Sequence, residues 1–309
     1  MNKLLVIISA VSSLVIVIII VSIAMRLPHP TYVPPSDFNF AAVGDWGCTD
    51  DTTDTVNNIL DKAPELVLGL GDYSYEDSSD CWFDVIQPIS DKMKIEIGNH
   101  DVEEFGKLPK YMNHFKLKEQ YYSFDYRNIH FLAISTEIPF NVNSAQYKFV
   151  DNDLSKASSD PNIDWIVVYF HRPMYTIPST HSAISSLRST YHPLFEQYGV
   201  DLVLQGHNHN YQRTYPIKFN SINPRSPIET STNKTTYTDT DGGQIFAIVG
   251  TGGASLYSFT GKEDYFVEQY KGFGILDVDI TNNGKTLTGK FYTNNNNNEK
   301  IVDQFTIYK

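Results

Sequence analysis

Basic residues are scarce in this chain of 309 residues, which has 24 Lys and Arg against 36 Asp and Glu. The formal net charge of -12 argues against broad electrostatic binding to nucleic acid, which needs a basic surface. The chain has only 2 cysteines, too few for a disulfide-dense scaffold or a zinc site built from thiolates. Hydrophobic residues make up 41%, which excludes extensive disorder and predicts a sizeable core.

Charge is absent from residues 4–25, which are dominated by Ile, Val and Leu. A helix of this length would measure about 33 Å, enough to cross the hydrocarbon core of a bilayer. Cleaved signal peptides have a shorter apolar region, followed by small residues at the cleavage site. We therefore interpret residues 1–26 as an uncleaved signal anchor that holds the rest of the chain on the extracytoplasmic side of a membrane. Secretion after signal cleavage is the alternative.

Residues 27–36 contain four prolines and predict a short extended tether, which leaves residues 37–309 as the folded domain. In this domain, short apolar runs alternate with helical patterns. Strands are predicted at 38–43, 65–70, 94–97, 165–170 and 201–205, and helices at 53–62, 143–158 and 182–198. From residue 245 onward the pattern predicts strands only, at 245–249, 274–280, 286–292 and 301–308. The alternation predicts an α/β fold with helices covering the sheet, and a polar loop at 218–243.

Five of the predicted strands end at a polar residue that could bind a metal ion: Asp45, Asp72, Asn99, His171 and His207. Ligands bind beyond the carboxyl ends of strands in α/β sheets, so side chains from several strand ends can meet there. The mixture of oxygen and nitrogen donors suits Fe, Zn or Mn. A single Gly-Asp or a lone histidine is usually structural, but five such residues in order indicate a metal site.

Five motifs carry a resemblance to a known family: Gly-Asp-Trp-Gly at 44–47, Gly-Asp-Tyr-Ser-Tyr at 71–75, Gly-Asn-His-Asp at 98–101, Val-Tyr-Phe-His at 168–171 and Gly-His-Asn-His at 206–209. In this order they resemble the metallophosphoesterase (calcineurin-like phosphoesterase) superfamily. Tyr75, three residues after Asp72, narrows the resemblance to the purple acid phosphatase branch. The resemblance covers roughly residues 38–255 and implies an α/β fold of two packed mixed sheets flanked by helices.

The resemblance also implies a centre of two metal ions and its ligands. Fe(III) would be held by Asp45, Tyr75 and His209. A divalent Fe, Zn or Mn ion would be held by Asn99, His171 and His207, and Asp72 would bridge the two ions. The implied activity is hydrolysis of a small phosphate monoester, with a metal-bound hydroxide as the nucleophile.

Three further residues are catalytic candidates. His100 lies beside Asn99 in the sequence and is the best placed imidazole to protonate the leaving alcohol, and Asp101 could orient it. His181, ten residues after His171, matches a position at which the resembling family often has a histidine facing the substrate. Arg213 follows the His-x-His motif, and we interpret it as a structural residue.

Two other functions compete with a phosphomonoesterase. A phosphodiesterase or nucleotide pyrophosphatase could use the same ligands, since the walls of the pocket decide which ester is cleaved. A non-catalytic surface binding protein on the same scaffold should have lost ligands, whereas all seven residue types are present here. Cys48 and Cys81 each follow a metal-bearing strand end, and their parallel placement predicts a disulfide.

Overall fold

Two seven-stranded sheets form the centre of the protein in a computed structural model that describes residues 37–103, 106–294 and 300–309. The strand order of the first sheet is β11-β16-β15-β14-β1-β2-β3. Its strands are β1 (Phe38–Val43), β2 (Leu66–Leu70), β3 (Met93–Glu96), β11 (Thr236–Thr238), β14 (Gly274–Thr281), β15 (Thr286–Thr293) and β16 (Ile301–Tyr308). β1, β2 and β3 are parallel to one another, whereas β14, β15 and β16 form an antiparallel meander beside β1.

The second sheet has the order β13-β8-β12-β7-β6-β5-β4. It contains β4 (Tyr122–Tyr126), β5 (Ile129–Ala133), β6 (Trp165–Tyr169), β7 (Leu202–Gln205), β8 (Tyr211–Thr214), β12 (Ile245–Val249) and β13 (Phe266–Tyr270). The four central strands β5, β6, β7 and β12 are parallel, with antiparallel strands on both sides. A small hairpin of β9 (Ile217–Lys218) and β10 (Ile228–Glu229) lies apart from both sheets.

Six helices flank the sheets in the described part of the chain. They are α1 (Asp50–Lys62), α2 (Asp80–Ile86), α3 (Asn99–Glu103), α4 (Lys107–His114), α5 (Ala145–Ala157) and α6 (Ser185–Gln197). The sequence sets the ends of α1: the Thr49 side chain accepts a hydrogen bond from the Thr52 amide at its start, and Ala63 ends it in a left-handed conformation. Likewise the Ser144 side chain caps the start of α5 by accepting from the Tyr147 amide.

The main hydrophobic core lies between the two sheets. Phe40 of β1 meets Phe131 of β5 edge-on, with ring centroids 5.2 Å apart. A second core fills the space between the outer face of the second sheet and helices α5 and α6, and includes Leu132, Leu154 and Phe195. Each fully buried side chain of this size contributes about 1.5–3 kcal/mol to stability. These cores hold the strand ends of both sheets at one edge of the molecule.

The predicted α/β fold with two mixed sheets flanked by helices is confirmed, and the predicted strands and helices differ from the observed ones mainly at their ends. Strands β4, β5, β8 and β13 and the shorter helices α2, α3 and α4 were not predicted. The polar segment 218–243 is not simply a loop: β10 pairs with β9, and β11 pairs with the edge strand β16. These short strands depend on partners distant in the sequence, which a local pattern does not reveal.

The predicted location, a catalytic body anchored in a membrane, is wrong for the part of the chain that the structure describes. Among residues 37–103, 106–294 and 300–309 there is no helix with both the length and the apolar character needed to cross a membrane. The predicted anchor at 1–26 and the tether at 27–36 lie outside the described residues.

Candidate metal centre

The turns that follow three strands adopt an unusual backbone conformation. Asp45 after β1, Asp72 after β2 and His207 after β7 have φ angles of 58°, 53° and 70°. Residues other than glycine rarely adopt this left-handed region, and they do so most often at functional sites, where the surrounding structure offsets the strain. Close packing fixes the turns, since a Cβ atom at Gly98 would lie 2.3 Å from Asp72 Oδ1.

One group of donor atoms gathers around the Tyr75 hydroxyl. Tyr75 Oη lies 2.9 Å from His209 Nε2, 3.2 Å from Asp45 Oδ1 and 3.4 Å from Asp72 Oδ2. His209 Nε2 is in turn 3.4 Å from Asp45 Oδ1. Residues 164 positions apart in the sequence, Asp45 and His209, thus present their donors to one small space.

A second group of donors surrounds the imidazole of His171. His171 Nε2 lies 3.0 Å from Asp72 Oδ2, 3.1 Å from His207 Nδ1 and 3.2 Å from Asn99 Oδ1. Asp72 Oδ2 belongs to both groups and lies between them. Within the described residues, Asp72, His171 and His207 form a set whose ligand atoms all lie within 4.8 Å of one another.

Backbone contacts aim these donors. The His171 Nδ1–H donates to the Leu70 carbonyl at 2.9 Å, and the His209 Nδ1–H donates to the Ser255 carbonyl at 2.8 Å. Because a carbonyl only accepts, the proton of each neutral ring is fixed on Nδ1 and the Nε2 lone pair is directed into the group. The outer oxygens of the carboxylates are held in the same way: Asp45 Oδ2 accepts from the His207 amide at 2.8 Å.

The candidate metal centre buries acidic side chains whose negative charge is not fully balanced by its histidines. Burial opposes ionisation of Asp72, but attraction to His171 outweighs it and lowers the pKa of Asp72. Burial lowers the pKa of His207 to about 2, and repulsion from the neighbouring His171 adds to this effect. Burial, followed by repulsion from Asp45 and Asp72, raises the pKa of Tyr75 well above its usual value. A cation at the centre would relieve these repulsions.

The donor set fits transition-metal ions. Two carboxylates, an amide oxygen and three imidazoles are buried and the phenol is partly buried, with their donor atoms converging on two positions. Buried charges and lone pairs at such spacing are costly unless a cation compensates them. Oxygen and nitrogen donors in this proportion suit Fe, Zn or Mn.

His100 lies at the rim of the site, and its side chain is 40% exposed. Its ring centroid lies 4.5 Å from that of Tyr75, and its Nδ1 lies 3.5 Å from Glu103 Oε2. Glu103 also accepts a hydrogen bond from the Asn99 side-chain amide at 3.3 Å. Glu103, one helical turn after Asn99 on α3, therefore orients both residues. It was not predicted, although the spacing of four residues on a helix is a usable signal.

The prediction that Asp101 orients His100 is wrong. It is fully buried, and its two oxygens accept three backbone hydrogen bonds, at 2.9 Å from the Asp72 and Tyr73 amides and at 2.8 Å from the Gly98 amide. The carboxyl of Asp101 points into the loop after β2 instead of towards the neighbouring imidazole. Its position is suited to holding that loop, and with it Asp72, in place.

His181 lies beside the second group of donors. Its ring stacks on His207 with centroids 4.0 Å apart and an interplanar angle of 25°. The Asn208 side chain accepts from the His181 amide and donates to the His181 carbonyl, both at 3.0 Å. Burial lowers the pKa of His181, followed by repulsion from His209. Asn208 therefore positions His181. It lies within the Gly-His-Asn-His motif, but this role was not predicted.

Tyr257 is a further residue that was not predicted. Its ring stacks on His209 with centroids 3.9 Å apart and nearly parallel planes, and its amide donates to the His209 carbonyl at 2.9 Å. It therefore fixes the orientation of this imidazole from the outside. The residue follows a glycine-rich turn near 250–253, and no periodic pattern marks it in the sequence.

The predicted disulfide between Cys48 and Cys81 is present, with Cα atoms 5.8 Å apart. Cys48 lies just after the Asp45 turn, and Cys81 lies on α2, after the loop that carries Tyr75. The bond therefore ties together the loops that supply Asp45 and Tyr75 to the first group of donors.

The chain is similar in sequence to known proteins. The model of the calcineurin-like phosphoesterase family matches residues 38–211. Purple acid phosphatase 22 of Arabidopsis thaliana is 28% identical over 293 residues, covering 88% of this chain and 64% of the relative. Purple acid phosphatase 15 of the same plant is 27% identical over 237 residues, covering 63% of this chain and 44% of the relative.

A solved structure shows the same fold. The purple acid phosphatase isolated from yellow lupin seeds superimposes with a TM-score of 0.72 at 22% identity, covering 90% of this chain and 55% of that one. The chain thus spans about half the length of some of these relatives, with shares of 44% and 55%.

Proposed function

Because the chain belongs to the calcineurin-like phosphoesterase family, we propose that it hydrolyses phosphate monoesters at a centre of two metal ions. The observation that carries the proposal is the arrangement of donors in two groups that share Asp72 Oδ2. Both sheets contribute: Asp45 and Asp72 follow strands of the first sheet, and His171 and His207 follow strands of the second. Residues 37–309 therefore act as one catalytic domain in this proposal.

Each group of donors is assigned to one ion. Asp45, Tyr75 and His209 would hold Fe(III), because two anionic oxygen ligands favour a hard trivalent ion. Asn99, His171 and His207 would hold a divalent Fe, Zn or Mn ion, since this group consists of neutral donors. Asp72 would serve both ions.

When bound, the two ions would supply positive charge for the phosphate and acidify a water molecule for its attack on phosphorus. The side chains around them have distinct tasks. His100 would hold the proton that passes to the leaving oxygen, because Glu103 faces its Nδ1 and Nε2 remains for the substrate. His181 would contact the ester on the other side, beside His207.

Metal analysis and paired assays test the proposal. The purified full chain, loaded with Fe(III) and a divalent ion, should contain two ions per chain. It should hydrolyse p-nitrophenyl phosphate faster than bis(p-nitrophenyl) phosphate. A content of one ion per chain would contradict the two-ion centre, and a preference for the diester would favour the phosphodiesterase.

A Tyr75→Phe variant tests the assignment of Fe(III). Phenolate bound to Fe(III) gives a charge-transfer absorption that colours the protein violet, whereas carboxylate and imidazole ligands do not. The variant keeps the ring that packs beside His100 and removes the oxygen, so it should lose both the colour and part of the iron. An unchanged spectrum and iron content in the variant would refute the role of Tyr75.

A further inference from the structure

A polar cavity of about 330 Å³ lies beside the candidate metal centre and is not explained by the hydrolysis of a simple ester. His181 lines this cavity and also stacks on His207, one of the metal-ligand candidates. A molecule bound at the centre could therefore extend past the His181 ring into the cavity. We refer to it as the arginine pocket, because Arg188 and Arg225 both line it.

Arg188 is a buried cation that forms no ion pair with an acidic residue in the part of the chain that the structure describes. It is 5% exposed, its Nε donates to the Met174 carbonyl at 2.8 Å, and its Nη1 donates to the Pro224 carbonyl at 3.1 Å. Its guanidinium lies 4.6 Å from the centre of the Tyr175 ring. These contacts satisfy hydrogen bonds but do not neutralise the charge. A buried charge in proteins is normally paired with an opposite charge, so the Arg188 guanidinium favours the binding of an anion.

The other arginines of the described chain show that this arrangement is unusual. Three of them pair with carboxylates: Arg127 with Glu65, Arg172 with Glu137, and Arg213 with Asp303. The two that form no such ion pair among the described residues are those of the arginine pocket. Burial lowers the pKa of the Arg188 guanidinium, and the charge of Arg225 nearby lowers it further. Two like charges thus face one cavity.

Backbone and hydroxyl groups add to the preference for an anion. Helix α6 starts at Ser185, which lines the arginine pocket, and its N-cap residue Ile184 provides no side-chain hydrogen bond. The free amides and the dipole of a helix N-terminus favour negative charge. Ser182 also lines the cavity, whereas Glu263 is its one acidic residue among those described. The positive groups outnumber this carboxylate.

We propose that the arginine pocket binds a second phosphate group, carried by the leaving group of a substrate whose reacting phosphate lies at the metal centre. The inference rests on the proposed function and names its substrate class: organic compounds with two phosphate groups. Arg225 is the main contact from the solvent side, because it is exposed, and Arg188 forms the floor. Guanidinium groups bind phosphate through paired hydrogen bonds, which suits this role.

Binding of phosphonates tests the inference without depending on turnover, because their carbon–phosphorus bonds are not hydrolysed as esters are. Calorimetry on the metal-loaded full chain would compare alkane bisphosphonates of increasing length with the matching alkyl phosphonates. The best bisphosphonate should bind at least about tenfold more tightly, beyond the factor of about two that comes from having two equivalent ends. Arg225→Ala should reduce this advantage about tenfold, as expected when a hydrogen bond to a charged group is lost.

Two charge variants serve as matched controls. Glu263→Gln removes the acidic residue of the arginine pocket and should increase the advantage of the bisphosphonate. Lys262→Ala removes an exposed positive charge next to it in the sequence but outside the lining, and should leave the advantage unchanged. An unchanged advantage in Arg225→Ala, or an equal loss in Lys262→Ala, would overturn the inference.

Two further outcomes are distinguishable. A phosphonoalkanoate that binds as tightly as the bisphosphonate would show that the pocket takes carboxylates, and would overturn the assignment to phosphate. If the wild-type protein binds phosphonates with the predicted pattern but hydrolyses neither p-nitrophenyl ester, the proposed function fails and the anion site stands.

Discussion

Two regions of this protein bury charge in opposite ways. Between the two sheets, Arg213 is fully buried and binds both oxygens of Asp303, at 2.6 and 2.8 Å. Its remaining donors reach the Tyr237 hydroxyl and a backbone carbonyl, each at 2.9 Å, and Tyr211 donates to Asp303 at 2.7 Å. We call these residues the closed cluster, because their charged and hydrogen-bonding groups have partners within the chain. This supports the structural role expected for Arg213.

The candidate metal centre, in contrast, is an open cluster. Its donors lie 2.9–3.4 Å from one another, yet most of them are acceptors that face other acceptors. Such an arrangement is complete only with a cation. The comparison teaches that burial of charge does not by itself mark a functional site. In the functional site, the polar groups have hydrogen-bond partners on their outer sides but not in the space that they all face.

The largest expected effect concerns the open cluster. Replacement of His100 by Ala should slow hydrolysis of alkyl phosphates, whose leaving groups need a proton, by about 10²–10⁴-fold. Activated aryl esters such as p-nitrophenyl phosphate should be affected far less. Steady-state kinetics on both kinds of ester provide the measurement, and His114→Ala, which removes a histidine bonded to Ser90, is the control. Equal losses on both esters would indicate that His100 positions the phosphate instead.

The closed cluster should respond in stability and not in chemistry. Asp303→Ala leaves the Arg213 guanidinium buried and unpaired, which should lower the free energy of unfolding by about 3–5 kcal/mol. Chemical denaturation measures this loss, and the metal content of the folded fraction should not change. The double variant Arg213→Met with Asp303→Leu removes both charges and should recover most of the stability. A double variant as unstable as Asp303→Ala would show that the cluster contributes more than paired charge.

The disulfide should affect both stability and metal binding, because it stabilises the chain and ties together loops of the open cluster. Cys48 and Cys81 are 33 positions apart, and a crosslink over that span stabilises by about 3–4 kcal/mol in the chain-entropy model. A Cys48→Ser, Cys81→Ser variant should lose this amount and bind the metal ion at Tyr75 more weakly. Unfolding curves and iron titration measure the two effects. Lost stability with unchanged iron affinity would mean that packing alone holds the loops.

The sequence predicted the open cluster far better than the closed one. Asp45, Asp72 and His171 each follow a buried apolar strand, so the strand pattern placed them at one edge before any contact was known. Asp303 lies within a strand near the end of the chain, 90 positions after its partner Arg213, and no local pattern connects the two. Strand ends are a local property, whereas partners within a core are not.

The same distinction explains the errors around the site. Asp101 was expected to orient its sequence neighbour, but successive side chains on a helix point in different directions, and Glu103 faces His100 instead. Tyr257 and Arg225 come from segments that follow the motifs in the sequence, and the fold brings Tyr257 against His209 and Arg225 to the arginine pocket. Their positions follow from tertiary structure, which short motifs do not encode.

The smallest expected effect concerns a third cluster, which is closed only when one of its members carries a proton. His130 lies between two carboxylates, with Nδ1 2.7 Å from Asp125 and Nε2 2.8 Å from Asp153. Burial acts to lower the pKa of His130, but hydrogen bonds and attraction to Asp153 and Asp125 raise it above its usual value. The folded state therefore binds this proton more tightly than the unfolded state does.

The sign of the pH dependence follows from that shift. The stabilisation by His130 is fully present below the unfolded pKa of about 6.5, and it is lost as pH rises through the raised pKa of the folded state. In that window the loss can reach about 1.4 kcal/mol per pH unit for a single proton. The difference in unfolding free energy between wild type and His130→Gln should therefore shrink as pH rises above about 6.5. If the difference in unfolding free energy instead grew with pH, His130 would be neutral between its two carboxylates. This cluster would then need an added cation, as the open cluster does.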